Sequence, residues 1–414
     1  MRRALAGVAL ACAIGAAPAA PAGAEPRALG LRPDVATAEG GLWAESDKAE
    51  QAARRSGERN SSPELNAYVT RVACGVAGDY CPEIRIYLME RPFFNATMAP
   101  NGYMEVWSGL MLRAENEAQL SFVLGHEIGH FKENHSIEAQ RALKNRMTGA
   151  MVVGLAVAVA GAAAAVNSPS ADAARSIMDA TRGIVDIVYL GAISSFFAFS
   201  RENETDADGM GFRSAVAAGY DPNAGAALWR NLVEEQKKSD FEKVRREEAR
   251  GGLFNTHPLS EDRIRALDTL ARGGAPGRLD REAYRATIRP HLGAWLRDDL
   301  RRRDFGQSFH LIERLMAQGE DLGTLNFYKG EALRMRRKDG DLAAARLAYE
   351  AAIAHADAPA PAWRELGDIH LRDGRRAEAR AAFVTYLEKA PAAQDRMLVE
   401  RRVASLADAG GQQP

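Results

Sequence analysis

Apolar residues return at helical spacing along most of this chain, and the places where that period changes mark its organisation. Leu120, Val123 and Leu124 fall on one helix face behind Asn116, a residue suited to cap a helix start. They predict an amphipathic helix that runs on through His130. Just before it the period drops to two. Tyr103, Met104, Glu105, Val106 and Trp107 alternate, and the preceding Asn101-Gly102 is a strong tight-turn signal. An extended piece runs ahead of the turn, so a β-hairpin is predicted. The strand leading into the helix is expected to leave an edge to which an extended peptide can add, although the same pattern suits an ordinary core hairpin.

From Met147 to Ala171 the chain carries no charge, and Ala and Gly dominate it. Its length qualifies it as a membrane span, but its composition makes insertion weak. A second span would run from Gly183 to Ser200 and would contain Asp186. Residues 147–200 therefore read in two ways: a helical lid that touches client or membrane surface, or a membrane hairpin that anchors the chain in the inner membrane.

The run Gly273 to Gly277 reads as a linker. Beyond it the helical period persists and repeats. Trp363, Leu366, Gly367, Ala379, Phe383 and Pro391 fit the spacing of a tetratricopeptide (TPR) unit, with His370 in place of the usual Tyr. Ala345 and Tyr349 precede Ala379 and Phe383 by 34 residues. Gly330 stands three residues out of step with Gly367, as an insertion at the helix turn would produce. Residues 280–320 form a degenerate unit around Phe305, Leu311 and Leu315. Repeats this few must stack on one another and on what precedes them. The fold expected is mainly α with a small β-sheet, followed by a C-terminal TPR-like solenoid. Such a groove takes peptide or protein segments unless it serves packing alone.

Composition adds an address. Arg2 and Arg3, the apolar stretch Leu5 to Ala17, and Ala22-Gly23-Ala24 read as a secretory signal over residues 1–24. The mature chain then starts near Glu25, outside the cytoplasm, and the bacterial periplasm is the compartment expected. Cys12 raises a lipoprotein alternative but sits too early for a convincing lipidation box. The remaining cysteines, Cys74 and Cys81, lie in one short glycine-containing loop, and an oxidising compartment favours a disulfide between them. The formal net charge of the 414 residues is −1, and no basic patch argues for nucleic acid.

The chemistry concentrates at His126-Glu127-Ile128-Gly129-His130, an H-E-x-x-H signature. Residues four apart share a helix face, so His126 and His130 can bind one zinc ion. Glu127 can then act as general base on a water at the metal. Catalytic zinc takes three protein ligands, and Glu204 within Glu204-Thr205-Asp206-Ala207-Asp208 can supply the third. Asp208, one turn on, can accept the free ring N–H of a ligand histidine. Glu202 and Asp206 project elsewhere into solvent, and Ala207, Gly209 and Gly211 permit close packing on the first helix.

These segments, with Asn255-Thr256-His257-Pro258-Leu259-Ser260-Glu261-Asp262-Arg263 and the hairpin from Phe94 to Leu110, resemble peptidase family M48, the HtpX and CAAX-prenyl-protease type of gluzincin. The resemblance covers residues 60–272, and the helical tail points to its periplasmic, TPR-bearing, BepA-like branch. It implies a gluzincin-type zinc metallopeptidase domain, one zinc per chain held by His126, His130 and Glu204, and Glu127 as base. Residues 25–59 are then an N-terminal extension, 273–279 a linker and 280–408 the repeats. The implied role is proteolysis of unfolded or outer-membrane proteins in envelope quality control, with an assembly-machinery partner on the TPR face. The rival is a chaperone or scaffold whose zinc site is latent. His257 sits before a proline that fixes its loop, near the cleft by resemblance, with Arg263 following on a predicted helix. It serves as transition-state donor, as a masking fourth ligand, or as a cap for that helix. His135 falls off the metal face, either solvated or behind a ligand.

Overall fold

The computed structural model describes residues 27–141, 170, 178, 199–246, 257 and 260–408. The segment read as a secretory signal, with Cys12, lies outside the described residues, as does nearly all of 147–200, the segment read as a lid or membrane hairpin. Helices α1 (Ala38–Arg55) and α2 (Pro63–Ala77) precede strands β1 (Arg85–Met89), β2 (Ala96–Met98) and β3 (Tyr103–Trp107). Helices α3 (Ser108–Arg113) and α4 (Glu117–Lys132) follow directly. Next come α5 (Arg201–Ala217), α6 (Ala224–Lys237), α7 (Glu242–Arg246) and α8 (Glu261–Ala271). The tail comprises α9 (Arg281–Arg301), α10 (Phe305–Met316), α11 (Leu322–Arg336), α12 (Asp341–Ile353), α13 (Pro361–Arg372), α14 (Arg376–Lys389) and α15 (Arg396–Asp408). The molecule is mainly α with one small sheet, as the sequence pattern predicts. No helix among the described residues is long and apolar enough to cross a membrane.

The hairpin forms where the turn signal places it. Gly102 holds φ +87°, and its N–H donates to Ala99 O, so the loop closes between Ala99 and Tyr103. A Cβ at Gly102 would lie 2.1 Å from Glu83 O, so only glycine fits. The edge expectation needs correcting. β3, which leads toward α4, is the middle strand of the order β1-β3-β2, parallel to β1 and antiparallel to β2. Its ladder groups are taken on both sides, so the edge next to α4 belongs to β2.

Helix α4 starts where expected, with Asn116 Oδ1 accepting from Gln119 N at 3.0 Å. It is not amphipathic in the ordinary sense, because every residue from Glu117 to Phe131 is buried. Its polar positions face internal partners instead of water. Glu117, for example, accepts from Arg71 at 2.6 Å and from Tyr220 at 2.5 Å. A central helix buried all round is what allows a metal site to be held dry.

The tail helices continue the same core. α9 packs on α2, α3 and α4, and Tyr284, Trp295 and Leu296 join one apolar cluster with Leu110, Leu120 and Phe122. Arg113 on α3, fully buried, bonds Glu235 on α6 at 2.8 Å and Asp299 on α9 at 2.7 Å. Removing one partner would leave a buried charge uncompensated, a loss of about 3–5 kcal/mol. The segment read as a linker is tied down at its end, with Arg278 N donating to Gly219 O and Asp221 N to Arg278 O. Within the tail, a Cβ on Gly367 would strike the Phe383 ring at 2.6 Å, and one on Gly330 would strike the Tyr349 ring at 2.4 Å. The two helix pairs therefore pack alike. The turn, 337–340 in the first pair and 373–375 in the second, takes up one residue of the three-residue offset. Gly330 stands one residue further from the end of its helix than Gly367, and Tyr349 one residue further from the start of its helix than Phe383.

Candidate metal centre

Helices α4 and α5 lie against each other through small residues. A Cβ on Gly211 would stand 2.8 Å from Phe122 O and 2.9 Å from His126 N, and one on Gly125 would stand 3.1 Å from Gly211 Cα. Gly129 likewise faces Ala207. Gly209 does not share this role, since it faces the side chain of Arg213. The close approach brings Glu204, at 1% exposure, against His126 and His130, each also at 1%.

Four side chains converge there. Donor atoms of His126, His130, Glu204 and His257 all lie within 4.8 Å of one another. His126 Nε2 is 3.1 Å from His130 Nε2 and 3.3 Å from His257 Nδ1. Glu204 Oε1 is 3.5 Å from His130 Nε2 and 2.9 Å from His257 Nδ1. Zinc bonds of about 2.0–2.1 Å put tetrahedral donors about 3.3–3.4 Å apart, close to these spacings. Imidazole nitrogens crowded on each other in a buried site are a poor arrangement without a cation between them. Three imidazoles and a carboxylate are also the donor types that zinc prefers. The residues present fit the metal.

The surroundings orient these donors. Asp208 Oδ1 accepts the Nδ1–H of His126 at 3.0 Å, which leaves Nε2 as the lone-pair donor. Trp229 Nε1 donates to the same oxygen at 3.3 Å. Arg263 donates to both Asp208 oxygens at 2.7 and 2.8 Å and pairs with Glu204 Oε2 at 2.6 Å. One guanidinium thus holds a ligand and the partner of a ligand. Burial pushes the Asp208 carboxyl up, but Arg263 and His126 overcome this and keep it ionised. For Glu204, burial again acts upward, while His257 and His130 prevail and hold it well below the carboxylate range. Burial keeps His130 well below the usual imidazole value, so it is neutral and able to donate a lone pair. The Glu127 carboxyl is pushed up, first by burial.

Glu127 and His257 also meet, with His257 Nε2 3.5 Å from Glu127 Oε1. His257 does not cap the following helix; Ser260 accepts from Arg263 N and does so. Glu202 and Asp206 are exposed, as expected. His135 is not solvated. It is buried, and its Nδ1 lies 2.9 Å from His130 Nδ1. Asn134 with φ +54° reverses the chain after α4 and folds His135 back, which helical spacing alone does not indicate. Phe199 stacks on His130 at 4.1 Å, and Trp229 contacts Asp208; neither carries a sequence signal pointing to the site. Cys74 and Cys81 come together with their Cα atoms 4.8 Å apart, within the span of a disulfide.

Comparison with known proteins agrees with this geometry. Residues 59–271, more than half of the chain, match peptidase family M48. The chain is 27% identical over 225 residues to a protein of Vibrio cholerae named putative beta-barrel assembly-enhancing protease, covering 53% of this chain and 42% of the relative. It is 25% identical over 180 residues to the beta-barrel assembly-enhancing protease of Escherichia coli K12, covering 43% and 32%. It is 27% identical over 188 residues to the mitochondrial metalloendopeptidase OMA1 of Danio rerio, covering 45% and 35%. The matches thus span less than half the length of these relatives. With the two-histidine helix, the acidic helix packed on it and the match over 59–271, the chain belongs to peptidase family M48 and carries that family's metallopeptidase domain.

Proposed function

We propose that the protein is a zinc-dependent endopeptidase that cleaves unfolded or stalled proteins in the bacterial periplasm, within envelope and outer-membrane protein quality control. The observation that carries this reading is the buried convergence of His126, His130 and Glu204 beside the buried carboxyl group of Glu127. Zinc held by the first three would supply Lewis-acid polarisation of a peptide carbonyl and of water at the open position. Glu127 takes the proton from the attacking water and returns it to the leaving amine; its raised pKa suits both steps. Asp208 and Arg263 keep His126 and Glu204 in place. The edge of β2 beside α4 can align an extended substrate by strand addition. The signal-like residues 1–24, the Cys74–Cys81 pair as a disulfide, and relatives named for β-barrel assembly support the periplasmic and envelope assignment. In this reading residues 280–408 are TPR-like repeats that hold clients or a partner.

A second reading, a client-binding protein with a guarded zinc site, is favoured by His257. Its Nδ1 occupies the fourth corner of the donor set while its Nε2 faces the base. The two readings combine if His257 masks a competent site and withdraws when substrate arrives. Digestion of unfolded casein by the mature chain, with a zinc chelator and after zinc is restored, tests the peptidase reading. Cleavage that appears only with zinc supports it; cleavage indifferent to chelation of all bound metal contradicts it.

A further inference from the structure

We propose that the concave face of the C-terminal helices is a docking groove for acidic peptide segments of client or partner proteins. This deepens the client-holding part of the function above and does not depend on the zinc chemistry. A cleft of about 620 Å³ lies between the junction of α11 with α12 and the facing helices α13 and α15. Its size falls within the range of about 300–1,000 Å³ found for ligand sites.

The charges in this cleft are unequal in their availability. Its four carboxylates are all engaged within the protein. Asp341 accepts from Arg336 at 2.6 Å, and Glu365 from Arg364 at 2.6 Å. Asp395 accepts from Arg364 at 2.7 Å and from Tyr386 at 2.6 Å, and Asp368 pairs with Arg402. The cations are in excess, and three of them, Arg337, Lys338 and Arg372, are exposed and make no side-chain hydrogen bond or ion pair among the described residues. The groove therefore presents free positive charge and no free negative charge. The same cleft is lined by Leu342, 39% exposed, and Leu398, 53% exposed.

That combination selects its occupant. Spaced single cations suit carboxylates spread along a chain, and exposed leucines suit apolar side chains between them. A nucleic-acid backbone would leave Leu342 and Leu398 without apolar side chains to meet. A membrane surface is flat and would not enter a cleft. An extended or helical segment that mixes Asp or Glu with apolar residues meets both requirements.

The test uses the full mature chain, zinc-loaded and carrying Glu127→Gln so that the probe is not cut. Fluorescence anisotropy follows a short fluorescein-labelled peptide of Glu and Leu, and a counterpart with Gln in place of every Glu. The acidic peptide is expected to bind about tenfold or more tightly than the neutral one, and less tightly as salt rises. Arg337→Glu with Arg372→Glu should weaken the acidic peptide by about tenfold or more, and Arg337→Gln with Arg372→Gln by less. Arg272→Glu, just past the end of α8 and outside the cleft lining, should leave binding within about twofold, with unchanged melting in all variants. Equal binding of the neutral peptide overturns the proposal, and that comparison needs no variant. Unchanged binding in both double variants also overturns it. So does preferential capture, through the same arginines, of phosphatidylglycerol vesicles over the peptide.

Discussion

Gly211 is where the metal site depends most directly on helix packing. A methyl group there would meet Phe122 O at 2.8 Å, His126 N at 2.9 Å and His126 Cα at 3.2 Å, all of them main-chain atoms. None can rotate away, so α5 must part from α4 by about 0.5 Å to restore ordinary contact. Overpacking of this kind costs about 1–3 kcal/mol, and the better helix propensity of alanine returns up to about 1 kcal/mol. The net loss of stability should be about 1–2 kcal/mol. The metal site should suffer more, because Glu204 rides on α5 and zinc–ligand distances tolerate only about 0.2 Å. Gly211→Ala is therefore expected to weaken zinc binding by about 10–100-fold, the range seen when groups that orient ligands are lost. Gly209→Ala is the matched control. Its Cβ would meet only the end of the flexible Arg213 side chain, at 3.0 Å, so zinc affinity should hold and stability should hold or rise slightly. Competition with a chromophoric chelator reads the affinity, and urea unfolding reads the stability. Wild-type affinity in Gly211→Ala would refute the argument that this contact sets the position of Glu204.

Glu204→Ala should lose zinc at stoichiometric metal, while Glu202→Ala keeps it; metal analysis after gel filtration decides between them. Asp208→Asn should retain the fold and bind zinc about 10–100-fold more weakly, because it loses the charge that orients His126 and engages Arg263. For His257→Ala, masking predicts faster casein cleavage than wild type at equal zinc occupancy. A fall of about 10²–10³-fold would instead make His257 a transition-state donor, and no change would leave it without a role in turnover.

The parts of the site that follow a helical repeat are legible in the sequence. His126 with His130, and Glu204 with Asp208, stand four apart, and each pair occupies one helix face in the structure. The tail units are legible for the same reason, through the paired positions Gly367 with Phe383 and Gly330 with Tyr349. What escapes is whatever depends on a reversal of the chain or on packing across distant segments. His135 reaches His130 only because Asn134 adopts a left-handed conformation. Trp229 and Phe199 reach the site from segments with no catalytic signature. Helix α4 looks amphipathic in sequence because Leu120, Val123 and Leu124 recur at helical spacing among polar residues, yet all its faces are buried; periodicity does not distinguish water from an internal partner such as Arg71. β3 reads as an edge from its turn and alternation, and β1, which pairs with it in parallel, is separated from it in sequence by β2 and the segments on either side of that strand.

The most direct test of the central claim compares Glu127→Gln with wild type at equal zinc content. The substitution keeps the shape of the side chain and removes only its basicity. The account predicts unchanged zinc stoichiometry and casein cleavage reduced by about 10²–10⁴-fold, the usual contribution of a positioned general base. Near-normal cleavage by a zinc-loaded Glu127→Gln chain would contradict it.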